Sequence, residues 1–204
     1  MDELLKKMDP IRKKNLINAA LVEFGKNSYD KASTNVIVRE AGISKGLLFH
    51  YFKSKKELYE YLVEFIFVKM IKDVAENIDY DKRDIIERIT SIAEYKMKLF
   101  NEFPGMYAFY TRLCAGKTID ELLEMIEEII PGSYGDFYSV NIDYSFFKED
   151  IDIAKAMKIT QWSLEKKSEE YLKIMQTDDE LDFNQVLEEF NEYLQMFRQM
   201  FYKS

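Results

Sequence analysis

Residues 34–58 read T-N-V-I-V-R-E-A-G-I-S-K-G-L-L-F-H-Y-F-K-S-K-K-E-L, and this stretch decides the fold. Ser33 and Thr34 can cap a short helix that carries Val36, Ile37 and Ala41. Gly42 follows, where a helix stops on a left-handed residue. Ser44 then caps a second short helix from Lys45 to about Tyr51, and Ser54 with Glu57 spells a capping box for a longer one. Two short helices joined by a tight turn form a helix-turn-helix, whose second member enters the major groove of duplex DNA.

Working outward, Asp9 and Pro10 open a helix in which Ile11, Leu16, Ile17, Ala20, Leu21 and Phe24 make one apolar stripe that Gly25 stops. Downstream, Leu58, Leu62, Phe65, Ile66 and Met70 recur at helical spacing, which predicts a long fourth helix. Asp81 is placed to cap a helix running to about Phe103, and Pro104-Gly105 breaks it before a short aromatic segment from Met106 to Cys114. Thr118 and Glu121 form another capping box. Residues 133–149 lack a 3.6-residue period and read as a long loop with a turn of helix. Asp150 opens a helix of about 26 residues to Met175, and Asp182 opens another from Phe183 to Tyr202. The expectation is an all-α chain.

Residues 34–58, with A-G-I-S-K-G at 41–46, the aromatic run at 49–52 and K-x-x-L at 55–58, resemble the signature of the TetR family of transcriptional regulators. The resemblance covers about 50 residues, and Phe49 stands where that family more often carries Tyr. It implies an N-terminal three-helix DNA-binding domain, residues 1–54, and a C-terminal helical domain, residues 55–204, that senses a ligand and dimerises. It also implies that the last two helices pair with those of a symmetry mate.

The residues themselves suit that role. At 100° per residue from Ser44, Leu48, Phe49 and Phe52 fall on one side of their helix, where they are expected to pack on its neighbours. Gly46, Leu47, His50 and Tyr51 fall on the other. Gly46 permits close backbone approach, Leu47 can touch a thymine methyl, and His50 and Tyr51 can donate to base or phosphate acceptors. Lys45 can reach guanine or a phosphate. Thr34 and Lys55, at the starts of their helices, are placed for phosphate, in keeping with the family pattern.

Charge agrees with this division. The 204 residues carry a net charge of −8, but residues 1–58 carry +5 and the rest −13. A basic module on an acidic remainder is what is expected when one end meets phosphates and the other stays off them.

In the remainder, aromatic and methionine residues gather between Tyr95 and Tyr110, and more follow at Phe137, Tyr138, Tyr144, Phe146 and Phe147. They suit an adaptable, mostly apolar pocket, and equally a core. Phe100, Tyr107, Tyr110 and Trp162 are the candidate ligand-binding residues, for a small apolar effector. On the last helix Phe183, Val186, Leu187, Phe190, Leu194, Phe197 and Phe201 make a wide stripe with Met196 and Met200 beside it, more than one neighbour can cover.

Composition excludes other classes. Cys114 and His50 are each the sole residue of their type, so neither an internal disulfide nor a Cys/His zinc cluster can form, and no metal or cofactor is expected. There is no G-x-S-x-G or phosphate-loop motif, and Glu127-Glu128 reads as a solvated helix face, so no enzyme is expected. The first residues mix Asp2, Glu3 and Asp9 with lysines, and no apolar run approaches 18 residues, so a cytoplasmic protein without a membrane span is expected. The rival is a helical dimeric protein-interaction or protein-sensing module without a small-molecule ligand, which salt-dependent binding to DNA would separate from the operator-binding homodimer.

Overall fold

Helices here start where short polar side chains can take backbone N–H groups that the helix itself leaves open. The computed structural model describes residues 5, 7–132, 139–176 and 182–203. Asp9 accepts from Arg12 N at 3.0 Å and starts α1 (Pro10–Lys26) with proline at its first position. Then come α2 (Thr34–Glu40), α3 (Lys45–Tyr51), α4 (Lys55–Phe67), a π-turn at Val68–Lys72 and α5 (Asp73–Asn77). Further on are α6 (Ile85–Glu102), α7 (Met106–Cys114), α8 (Ile119–Ile129), a 3-10 turn at Tyr144–Phe146, α9 (Ile153–Gln176) and α10 (Phe183–Phe201). Thr118 and Glu121 complete a reciprocal capping box on α8, and Asp182 caps α10. Among the described residues the fold is all-α; the only bridge outside helices joins Phe147 to Tyr202.

Several boundaries differ from those expected. Asp84, not Asp81, starts α6: its carboxylate accepts from Ile86 N at 2.8 Å, while Asp79 takes the Asp81 N–H. Asp152, not Asp150, starts α9 by accepting from Lys155 N at 3.1 Å. The long fourth helix is interrupted by the π-turn, an inserted residue of backbone that leaves the apolar pattern on either side intact. Gly25 lies inside the last turn of α1 rather than beyond it, and Ile11 is 72% exposed, so the buried stripe begins at Leu16. Of the loop expected at 133–149, residues 133–138, with Phe137 and Tyr138, lie outside the described residues.

By contact the chain divides into two units, residues 1–70 with 99–133 and residues 71–98 with 134–204. The boundary expected after residue 54 follows the helix-turn-helix alone. The unit that contains it also takes in α4, α7 and α8, because α7 forms the second wall of α1. Phe24 and Phe109 are fully buried between these helices, and Arg112 of α7 donates to the Gly25 and Lys26 carbonyls at the end of α1, at 2.8 and 3.1 Å. In the other unit, Ile85, Ile86, Phe147, Ala156, Leu194, Phe197, Phe201 and Tyr202 form one core. There Lys148 N donates to Phe201 O and Lys203 N to Phe146 O, both at 2.9 Å, clipping the end of α10 to the 144–148 loop.

Candidate nucleic-acid interface

The turn between α2 and α3 is set by Gly42. Its φ of +65° lets Gly42 N donate to Arg39 O at 3.2 Å and Ile43 N to Val38 O at 3.0 Å, closing α2 with a double carbonyl cap. A Cβ at Gly42 would meet nothing within 4 Å, so the only obstacle to a side chain there is the backbone angle. Gly42→Val is therefore expected to destabilise this unit by about 1 kcal/mol or more, read as a lowered denaturant midpoint, with Gly42→Asn costing clearly less. Equal losses for both would show that the left-handed angle is not the reason for glycine.

Ser44 ends the turn and accepts from Leu47 N at 3.1 Å, fixing the start of α3. Leu48 and Phe52, each 1% exposed, anchor α3, with Phe52 against the Tyr61 ring of α4. Lys45, Gly46 and His50 are exposed, as the spacing predicts, while Leu47 and Tyr51 are half-buried. Phe49, expected inward, is 37% exposed. It lies about 100° round the helix from Leu48, at the margin of the arc that so short a helix can bury. His50 and Tyr51 meet edge to face with centroids 5.1 Å apart.

The flanking positions are held by local bonds. Ser54 accepts from Glu57 N at 3.1 Å, but Glu57 reaches back to Lys53 N rather than to the cap residue, so the expected box is offset by one residue. Ser33 makes no side-chain cap; its N–H instead donates to the buried Glu23 at 2.8 Å, tying the start of α2 to α1. Thr34 follows, half-buried at the first position of α2. The Lys55 ammonium donates to Asp30 O at 3.2 Å and sits 4.8 Å above the Tyr29 ring, with its other N–H groups available for a phosphate. Tyr29 in turn meets Tyr59, whose phenol burial pushes up, with Arg112 pulling the other way.

The candidate ligand-binding residues separate. Phe100 is buried beside Tyr107, centroids 5.1 Å apart, and Tyr110 stands against Phe67, all within the unit that holds α3. Trp162 belongs to the other unit and is 59% exposed, with Lys158 above its ring. Beside Tyr110, burial raises the Cys114 thiol above its ordinary value, the opposite of an activated nucleophile.

The family model for bacterial regulatory proteins of the tetR family matches residues 16–62, from the buried stripe of α1 into α4. The chain is 34% identical over 92 residues to the HTH-type transcriptional regulator BetI of Proteus mirabilis, covering 45% of this chain and 42% of the relative. It is 43% identical over 51 residues to BetI of Agrobacterium fabrum, covering 25% of each. These matches thus span from a quarter to less than half of the curated relatives' own length. A TetR family transcriptional regulator from Chloroflexus aurantiacus has the same fold, with a TM-score of 0.59 at 18% identity over 99% of this chain and 98% of that one. The ketosteroid transcriptional regulator KstR2 of Mycobacterium tuberculosis gives 0.58 at 16% identity over 97% and 98%. FadR of Bacillus subtilis, solved with stearoyl-CoA, gives 0.55 at 18% over 90% and 96%. A Schellman-closed α2, a serine-capped α3 and a match over the whole of that motif agree: residues 16–62 are similar to the bacterial regulatory proteins of the tetR family.

Proposed function

We propose that the chain is a cytoplasmic DNA-binding transcriptional regulator, a repressor without enzymatic activity, that binds a palindromic operator as a homodimer and is released by a mostly apolar small molecule. The observation that carries the reading is α3, a helix anchored by two buried side chains whose opposite face offers Lys45, Gly46 and His50 to solvent on a module of charge +5. An arrangement of this kind is what major-groove docking requires. Gly46 adds to it: a Cβ there would meet only Ser44 Oγ, at 3.9 Å, so no packing within the chain calls for glycine, whereas close approach to a base edge does.

In this reading Lys45 and His50 reach base edges. Leu47 and Tyr51, half-buried, flank them, and Thr34 and Lys55 hold phosphates. Lys55→Ala is expected to weaken binding to all duplex sequences alike and to lower the slope of log affinity against log salt by about one unit. An unchanged slope would place Lys55 away from the DNA backbone. The effector would contact Phe100, Tyr107 and Tyr110, whose rings and hydroxyls suit an apolar molecule with a polar end. FadR of Bacillus subtilis, a neighbour in fold, was solved with such a molecule.

Dimerisation rests on apolar side chains left exposed on one face of each of the last two helices: Ile159, Trp162 and Ile174 on α9, and Tyr193, Met196 and Met200 on α10. The double variant Trp162→Glu, Met196→Glu is expected to sediment as a monomer and to lose about 100-fold or more in operator affinity, because two linked half-sites bind by effective concentration. These surface positions are a cleaner test than removing α10, which carries Leu194, Phe197 and Phe201 of the core. A variant that stays dimeric would overturn the assignment. The function as a whole is tested by selecting from random duplex DNA with the full chain. A two-fold symmetric sequence with half-site centres about 34 Å apart is expected to emerge, and the absence of any enriched sequence would contradict the reading.

A further inference from the structure

We infer that Phe49 is the apolar reader of α3, seating the methyl group of a thymine in the notch between its ring and the bare Cα of Gly46. The inference rests on the DNA-binding reading above and adds to it a residue and a base.

Measured around the axis from Ser44, Lys45, Phe49, Gly46 and His50 point at about 100°, 140°, 200° and 240°. All four are exposed, and they form one continuous arc. Leu47 and Tyr51, at about 300° and 340°, border Leu48, which is 1% exposed, and both are half-buried. The surface available to a groove is therefore centred between Phe49 and Gly46, and Leu47 sits at its edge.

Phe49 is the most exposed apolar side chain on α3, with 37% of its surface open. Leu48 and Phe52, each 1% exposed, anchor the helix more deeply than Phe49 does. Its flank toward Gly46 is unfilled, since a Cβ built on Gly46 would find only Ser44 Oγ, 3.9 Å away. A phenyl ring has no donor or acceptor, so it cannot distinguish base edges by hydrogen bonds. The major groove presents one prominent apolar group, the thymine C5-methyl, and a ring edge beside an empty glycine position is shaped to bury it. Lys45 stands one turn earlier on the same arc, about 6 Å along the helix axis, and its ammonium can reach guanine O6 and N7. The base read by Phe49 therefore lies about two base pairs from the one read by Lys45.

The test uses the full chain and a duplex selected by the wild-type protein from random DNA, with each half-site thymine replaced in turn by uracil, which lacks only the methyl. One position is expected to weaken wild-type binding about five-fold. At that position Phe49→Ala should bind the thymine and uracil duplexes equally, while Phe49→Tyr, which keeps the ring, and Leu47→Ala should retain the preference. An unchanged thermal midpoint of Phe49→Ala shows that the exposed ring was not holding the fold. A preference lost in Leu47→Ala and kept in Phe49→Ala, or no uracil effect at any position, would overturn the inference while leaving DNA binding intact. Failure to select any duplex would overturn the DNA-binding reading and the inference with it.

Discussion

Gly105→Ala is expected to lower the unfolding free energy of the chain by about 3 kcal/mol, near the upper end of what overpacking costs. Gly105 precedes α7 with an ordinary φ of −78°, so backbone strain is not the cause. The cause is proximity: a Cβ there would lie 2.3 Å from Val22 N, 2.6 Å from Leu21 C and 2.8 Å from Val22 Cα. All three are backbone atoms of α1, and none can turn aside as a side chain would. Either α7 moves off α1 or the start of α7 unwinds, and both disturb Phe109, which is fully buried beside Phe24 with ring centroids 6.1 Å apart. In thermal unfolding the loss amounts to roughly 10 °C for a chain of this size. A midpoint within about 2 °C of wild type would show that the two helices can separate at little cost.

Asp84→Ala is expected to cost a similar amount, about 3 kcal/mol, through a different mechanism. The carboxylate is buried and serves three groups: it caps α6 through Ile86 N at 2.8 Å, accepts from Tyr202 Oη at 2.8 Å and pairs with Arg198 at 2.7 Å. Losing a cap costs about 1 kcal/mol, and leaving the Tyr202 hydroxyl without its acceptor about 1 to 3 more. The ion pair adds to the loss because the Asp84 side chain is only 8% exposed, and Arg198, 31% exposed, keeps Glu87 3.9 Å away as a second partner. The Tyr202 phenol is itself held protonated beyond its ordinary range by burial and by Asp84. Asp84→Asn keeps an oxygen for the cap and should lose less than half as much. Denaturant titrations of the two variants check this, and equal losses would mean that charge rather than hydrogen bonding holds the site.

What could be read from the sequence was what depends on residues close together in it. Asp9, Ser44, Thr118 and Asp182 cap their helices because a cap needs only its own first turn. Gly42 closes α2 for the same reason. The signals that failed depend on distant neighbours. Ser33 looks like a cap, but Glu23 of α1 takes its N–H. Gly105 breaks the helix as expected, but only the position of α1 shows that no side chain fits there. Phe49 looks like core by its chemistry, yet a seven-residue helix buried through Leu48 and Phe52 leaves it at the surface. Trp162 is a pocket candidate by its chemistry, and its 59% exposure on α9 depends on neighbours the sequence does not show. In the candidate interface, Lys45, Gly46 and His50 were legible from the 100° step, while the half-burial of Leu47 and Tyr51 depends on how α3 is seated.

The central claim is that the exposed face of α3 reads base sequence. It is tested most directly by the ratio of affinities for a selected duplex and a scrambled one, at fixed salt, in the wild type and in Lys45→Ala, His50→Ala. A large ratio is expected in the wild type that falls toward one in the variant, with binding to scrambled DNA only modestly weakened, since the phosphate contacts proposed for Thr34 and Lys55 would remain. A variant that keeps the wild-type ratio, or a wild type that binds both duplexes equally, would contradict it.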